Sequence, residues 1–279
     1  MVKFAICNEM FHEVDWEIEK QFDVAAEVGF DGIEIAPFTL ADSVREITED
    51  QRERIRKAAA ETGVAACGIH WLLAGTTGYH VTDPDPEVRA ATIAYSEDLV
   101  RFALDIGAEY QVVGSPAQRA VKTDQGVTYE QAWGWFKEAM IASAQVEGAE
   151  NYRVAIEPLA ATTNNNFLFN HHEVIQLCRE IDLPNVGVIL DTYSGLQTEA
   201  SLPDAIRATG DLLFHYHCND LNKRAPGLGE TDFAPVMQAL VDIDYPHYAS
   251  IEVFDFEPDP MEQCRVGLAT LKEALATAS

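Results

Sequence analysis

Short apolar runs alternate with longer amphipathic stretches along this chain, and the alternation repeats eight times. The runs predict strands over residues 4–7, 32–35, 64–69, 110–113, 154–156, 186–190, 212–217 and 248–252. Several are uninterrupted and rich in Val and Ile, which suits a parallel sheet covered on both faces. Apolar residues at helical spacing predict helices over 16–28, 85–106, 129–147, 171–180, 202–209, 233–241 and 260–276. A further helix opens at Thr48-Glu49-Asp50-Gln51, an N-cap with an acidic first turn, and stops at Gly63. Gly29, Gly107 and Gly210 supply further stops. Strand followed by helix, eight times over 279 residues, is the pattern of an α/β fold closed into a single (β/α)8 TIM barrel. A doubly wound open sheet is the alternative, but no Gly-rich dinucleotide turn follows any predicted strand. No linker or composition shift divides the chain, so residues 1–279 read as one domain.

In such a barrel the C-terminal strand ends form a ring, and ligands bind there. Strand ends five to eight carry Glu157, Asp191, His217 and Glu252. Taken singly, an acidic residue at a strand end is ordinarily a loop cap, and an inward histidine is ordinarily a core residue. Four such groups at consecutive strand ends point instead to a metal site, because buried ionised oxygens need a compensating cation. Three carboxylates and an imidazole suit Mn²⁺ or Mg²⁺, with Co²⁺ also compatible. The absence of thiolates argues against structural zinc.

Around this set stand candidate substrate contacts. His70-Trp71, after strand three, offers a donor and an apolar wall, and Glu34 ends strand two facing the mouth. Arg119 follows strand four, and its planar fork suits a phosphate or carboxylate. Tyr216 alternates with His215 and His217, which puts both histidines on the inward face, and Lys223 and Arg224 follow strand seven. His171 and His172, at a helix start, read as exposed, while Trp133, Trp135 and Phe136 read as packing or subunit-contact residues.

The segments Ile156-Glu157-Pro158-Leu159, Leu190-Asp191-Thr192-Tyr193, His215-Tyr216-His217-Cys218-Asn219-Asp220 and Ser250-Ile251-Glu252-Val253 resemble motifs of the xylose-isomerase-like superfamily. The resemblance is greatest to its sugar phosphate isomerase/epimerase members, which include D-tagatose 3-epimerase and hydroxypyruvate isomerase. Phe167-Leu168-Phe169-Asn170 and Pro226-Gly227-Leu228-Gly229 with Asp232-Phe233 are similar to its connecting motifs. The likeness implies a divalent metal held by Glu157, Asp191, His217 and Glu252, with Glu157 and Glu252 doubling as acid/base catalysts. It also implies a homo-oligomer, a dimer or a tetramer. Three positions leave the ketose-epimerase pattern: Ser194 stands where that pattern has His, Thr163 where it has Glu, and Lys223 where it has Arg.

The chemistry implied is proton transfer beside a carbonyl. A divalent cation would stabilise the enediolate as a Lewis acid, while carboxylates on opposite sides exchange protons. Exchange across two faces epimerises, and transfer between adjacent carbons isomerises. The expected activity is thus an isomerase or epimerase of a small sugar, keto-sugar or sugar phosphate. The alternative is a lyase of the keto-inositol dehydratase or keto-glycoside-eliminating kind. A DNA-repair endonuclease on the same barrel would need many more histidines and a basic groove, and a non-catalytic sugar-binding barrel would not need the Glu157/Glu252 pair.

Composition narrows the partners. A net charge of -27, from 46 acidic and 19 basic residues, repels phosphate backbones and excludes nucleic acid. It suits a highly solvated exterior, as of a salty habitat. The longest apolar runs are strand-sized, which excludes a membrane-spanning segment. Met1-Val2-Lys3-Phe4 enters a strand without a signal-peptide layout, and five cysteines without a CxxC pair read as reduced thiols. A cytoplasmic protein is expected.

Overall fold

Eight parallel strands close on one another in sequence order: β1 (Lys3–Cys7), β2 (Gly32–Ile35), β3 (Ala65–Ile69), β4 (Tyr110–Val113), β5 (Arg153–Ile156), β6 (Val186–Asp191), β7 (Leu213–Cys218) and β8 (Tyr248–Ile251). The computed structural model describes residues 2–278. β8 pairs with β1 from Tyr248–Lys3 to Ile251–Ile6, so no sheet edge is left open. This is the single (β/α)8 barrel that the alternation predicts.

Each strand presents alternate residues to opposite faces, and that period divides the core in two. Ala5, Cys67, Tyr110, Val112, Ala155, Ile189, Phe214 and Tyr248 form one cluster, which fills the barrel. Their neighbours, among them Phe4, Ile6, Ile33, Val154, Val188 and Tyr216, join the larger cluster between the sheet and the helices. Gly187 keeps the interior close-packed: a Cβ there would meet the Phe214 ring at 2.5 Å.

Local sequence chemistry sets the helix ends. Thr48 and Gln51 form a capping box before the helix Glu49–Thr62, and Thr128 and Gln131 repeat it before Tyr129–Ala144. Gly29, Gly63 and Gly107 close their helices in left-handed conformations that a Cβ would strain. Most predicted boundaries lie within a few residues of the observed ones. The helix predicted over 129–147 stops at Ala144. Three short helices carry too few residues for a period to register: Glu9–His12, Pro116–Arg119 and Thr192–Thr198.

His171 departs from its predicted exposure. It is buried, and its Nδ1 donates to Glu199 Oε2 at 2.7 Å, whereas His172 is exposed. Trp133 and Trp135 are half-buried and Phe136 is fully packed. All five cysteines are buried and unpaired, and no described helix is long and apolar enough to cross a membrane.

Candidate metal centre and active site

Glu157 follows β5 directly, Asp191 ends β6, His217 is the penultimate residue of β7, and Glu252 follows β8. The closed sheet therefore carries these four side chains to one sector of the barrel's C-terminal rim. One ligand atom from each lies within 4.8 Å of all the others, and all four residues are buried. They meet at the floor of a cavity of about 420 Å³, which Glu157, Asp191 and Glu252 line. That volume is in the range of small-molecule sites.

The four are held unequally. Asp191 is anchored at both oxygens: the Ser194 backbone N–H donates to Oδ1 and the Asn219 Nδ2 to Oδ2, each at 2.6 Å. Glu252 Oε1 accepts from Trp71 Nε1 at 2.9 Å, and its Oε2 lies 3.1 Å from His217 Nδ1. No described residue donates a hydrogen bond to the Glu157 carboxylate. Its space is kept by Gly114, where a Cβ would fall inside contact with Glu157 Oε2.

Crowded carboxylates repel one another. Burial, then Glu252 and Asp191, push the Glu157 carboxyl up to about 8. Burial and Glu252 push Asp191 up to about 6. Burial acts on Glu252 in the same direction, but the adjacent His217 outweighs it and holds Glu252 below the ordinary carboxylate range. Without a cation the two glutamates are thus driven apart.

A divalent cation fits this donor set. His217 Nδ1 is buried and makes no aligned hydrogen bond, since its approach to Glu252 is bent away from the N–H direction. Its other nitrogen, Nε2, donates to Glu34 Oε1 at 3.2 Å. A carboxylate on the far nitrogen is the usual way of orienting a metal-binding imidazole. One nitrogen and three carboxylate oxygens suit Mn²⁺, Mg²⁺ or Co²⁺.

Beneath the rim, inside the barrel, lies a polar layer. Glu34 contacts His215 Nε2 at 2.9 Å and accepts from His217 and from the Tyr110 hydroxyl, the last at 2.9 Å. Burial would raise the Glu34 carboxyl, but the two imidazoles overcome it and hold it well below the ordinary range. The buried His215 is pushed down to about 4, and its ring stacks on Tyr110 with centroids 4.2 Å apart. His70 Nε2 donates to Glu9 Oε2 at 2.9 Å, with its Nδ1 3.7 Å from Glu34.

This layer and the cavity wall hold several of the expected substrate contacts away from the cavity surface. Glu34, His70 and His215 are wholly buried and do not line the cavity: Glu34 and His215 point into the barrel from β2 and β7, and His70, directly after β3, turns inward onto Glu9. Arg119 is also buried, with Nη1 donating to the Val113 carbonyl at 3.2 Å, and it lies behind the cavity wall. Arg224 is spent on Asp255, 2.9 Å away. Trp71 and Lys223 do line the cavity, as do Ser194 and Thr163, the positions that depart from the ketose-epimerase pattern. The Trp71 N–H is already given to Glu252, so this residue offers a ring and not a donor.

Sequence reasoning misses Glu9, Tyr110, Asn219 and Phe254 as parts of the site. Glu9 follows the end of β1 much as Glu157 follows β5, and that signal was available. Phe254 stacks on Trp71 with centroids 5.8 Å apart, and no pattern along the chain announces it.

The profile of the xylose isomerase-like TIM barrel family matches residues 22–274. The chain belongs to that family. Among its relatives, the D-psicose 3-epimerase of Ruminiclostridium cellulolyticum is 26% identical over 251 residues, covering 88% of this chain and 81% of the relative. The 3-dehydro-D-guloside 4-epimerase of Escherichia coli is 25% identical over 277 residues, covering 91% of this chain and 94% of the relative. Among solved structures, a 3-keto-D-glucoside 4-epimerase from E. coli superposes with a TM-score of 0.80 at 23% identity, over 98% of this chain and all of the other. That last likeness is one of fold.

Proposed function

We propose that this protein is a divalent-metal-dependent epimerase or isomerase of a small sugar or keto-sugar, with Mn²⁺ the preferred ion and Mg²⁺ or Co²⁺ able to replace it. The observation that carries the reading is the convergence of Glu157, Asp191, His217 and Glu252 within 4.8 Å at the floor of an open cavity. The relatives that are epimerases at carbon 3 or carbon 4 of a sugar support the reaction class.

When bound, the cation would supply Lewis-acid stabilisation of negative charge on substrate oxygens. The protein does the rest. Glu252, held in the ionised form and fixed by Trp71, is suited to take the proton beside the carbonyl. Glu157, which no described residue restrains by a hydrogen bond, is suited to return one to the other face, and the roles exchange in the reverse direction. Asp191, locked by Ser194 and Asn219, serves as a ligand and not as a base. Trp71 and Phe254 wall the cavity for the apolar face of a sugar ring. Lys223 pairs with no carboxylate among the described residues and stands 5.6 Å over the Tyr193 ring, placed to meet a substrate hydroxyl or carboxylate.

The test is exchange with solvent. Ketohexoses and keto-glycosides are incubated with the Mn²⁺-loaded protein in deuterated water, and products are followed by mass spectrometry and NMR. One deuteron gained at a single stereocentre, with the skeleton retained, is expected. Loss of water from the product would make the protein a lyase, and absence of label from every sugar would reject proton transfer.

A further inference from the structure

A second, smaller cavity of about 20 Å³ lies behind β4, between that strand and the helices Pro86–Ile106 and Tyr129–Ala144. Gly114 and Ser115 line both this cavity and the large one. Its other walls are mostly apolar, including Leu72, Val81, Phe136 and Met140; Ser96 also lines it, with its hydroxyl given to the Thr92 carbonyl, and three deeply buried polar side chains reach it: Gln111, Arg119 and Ser143. Those three are at most 1% exposed. Gln111 Oε1, Arg119 Nε, Arg119 Nη2 and Ser143 Oγ all lack a hydrogen-bond partner. Four orphaned polar atoms around one void are too many for a relaxed interior.

The guanidinium decides what would satisfy them. Arg119 spends only Nη1, on the Val113 carbonyl. No carboxylate of the described residues forms an ion pair with it; burial draws its pKa down to about 10 against the opposing pull of the Glu157 carboxylate, which makes no contact with it, so it is still charged at neutral pH. A buried, unpaired cation costs several kcal/mol by order of magnitude, and arginine cannot escape by losing its proton. Water would satisfy the N–H groups but not the charge. A void of this size takes one or two water-sized occupants, so a tetrahedral oxyanion is too large.

We propose that this cavity is a binding site for one small monovalent anion, of the size and charge of a halide. Arg119 Nε and Nη2 supply the charge-assisted donors and the Ser143 hydroxyl a third. The Gln111 amide, turned by half a revolution, adds its NH₂. The apolar walls suit a weakly hydrated anion. The site sits under the segment from Gly114 to Gln118 that forms one wall of the large cavity, where Ser115 is held at φ +40°. A bound anion would fix that wall from behind.

The test uses metal-loaded protein prepared from sulfate salts. Thermal unfolding is measured in sodium bromide and in sodium methanesulfonate at matched ionic strength, since the bulkier anion cannot enter. Bromide is expected to raise Tm by an increment that saturates, above the common salt effect. Arg119→Met should abolish the increment, and Ser143→Ala should raise its midpoint by about tenfold, the worth of one hydrogen bond to an ion. Should Arg119→Met fail to fold, anomalous diffraction from wild-type crystals in bromide decides: a peak beside Arg119 and Ser143 is expected. No peak there, or equal Tm in the two salts, overturns the site. A peak without the selective increment marks an adventitious ion only and equally overturns it.

Discussion

Glu157 is the residue on which most of the site's energetics turn. In the unfolded chain its carboxyl titrates near the ordinary value of about 4.3, and in the folded protein burial and its neighbours hold it up to about 8. A carboxyl raised on folding contributes stability that is whole below the unfolded value and lost as pH rises through the folded one. Metal-free protein should therefore lose Tm between about pH 4 and 8, and cation should restore more of it at pH 8 than at pH 5. Glu157→Gln should flatten this dependence while lowering turnover by about 10²–10⁴-fold, the usual worth of a general acid or base. Calorimetry across pH with and without Mn²⁺ checks the first, and a Tm gap that shrinks as pH rises would contradict it. Trp71→Phe keeps a ring against Phe254 but removes the N–H that fixes Glu252. Turnover should fall about tenfold or more, with metal content unchanged. Equal turnover would reduce Trp71 to a wall. The four rim positions were legible because each lies at or beside the C-terminal end of a strand, where the barrel makes placement follow from order. Glu34 and His215 were legible as polar residues of strands and His70 as one just after a strand, but none as buried. Whether such a side chain reaches the mouth or the interior depends on local register, and both β2–β3 and β6–β7 carry register shifts that a pattern along one strand does not show.

At the scale of elements, the close approach of β4 to β5 is as important as any side chain. Gly114 follows β4 directly and leaves the space that Glu157 Oε2 occupies. Gly114→Ala should push that carboxylate off its position, lowering turnover and Mn²⁺ affinity while circular dichroism shows an intact barrel. Unchanged kinetics would mean that Glu157 tolerates displacement. Strands and long helices were readable from apolar period, caps and glycine stops. The short helices Glu9–His12, Pro116–Arg119 and Thr192–Thr198 were not, although two of them matter. Pro116–Arg119 carries the wall between the two cavities, and Thr192–Thr198 begins where Asp191 is both N-cap and a member of the buried carboxylate cluster at the rim. Capping had to be seen in three dimensions before Ser194 could be recognised as the residue whose backbone orients Asp191.

Across the whole molecule, charge is the dominant feature. With 46 acidic against 19 basic residues, the folded surface repels itself even though most of its arginines form ion pairs. Exposed pairs of that kind are worth little individually, and about 0.15 M salt already screens charges more than about 8 Å apart. Tm should therefore rise with sodium methanesulfonate as well as with halide, and a Tm independent of salt would show that the acidic surface carries no net penalty. The same charge supports a neutral or weakly anionic sugar over a polyanion as substrate, with Lys223 the cationic group at the mouth. Composition alone could say that much. It could not reveal that the carboxylates of greatest consequence are buried at the barrel's rim.

The most direct measurement is a calorimetric titration of metal-free protein with Mn²⁺, paired with elemental analysis, for the wild type and for His217→Ala. One ion per chain in the wild type, with affinity rising as pH rises from 6 to 8, and a loss of bound metal in the variant are expected. An unchanged stoichiometry and affinity in His217→Ala would contradict a cation held jointly by Glu157, Asp191, His217 and Glu252.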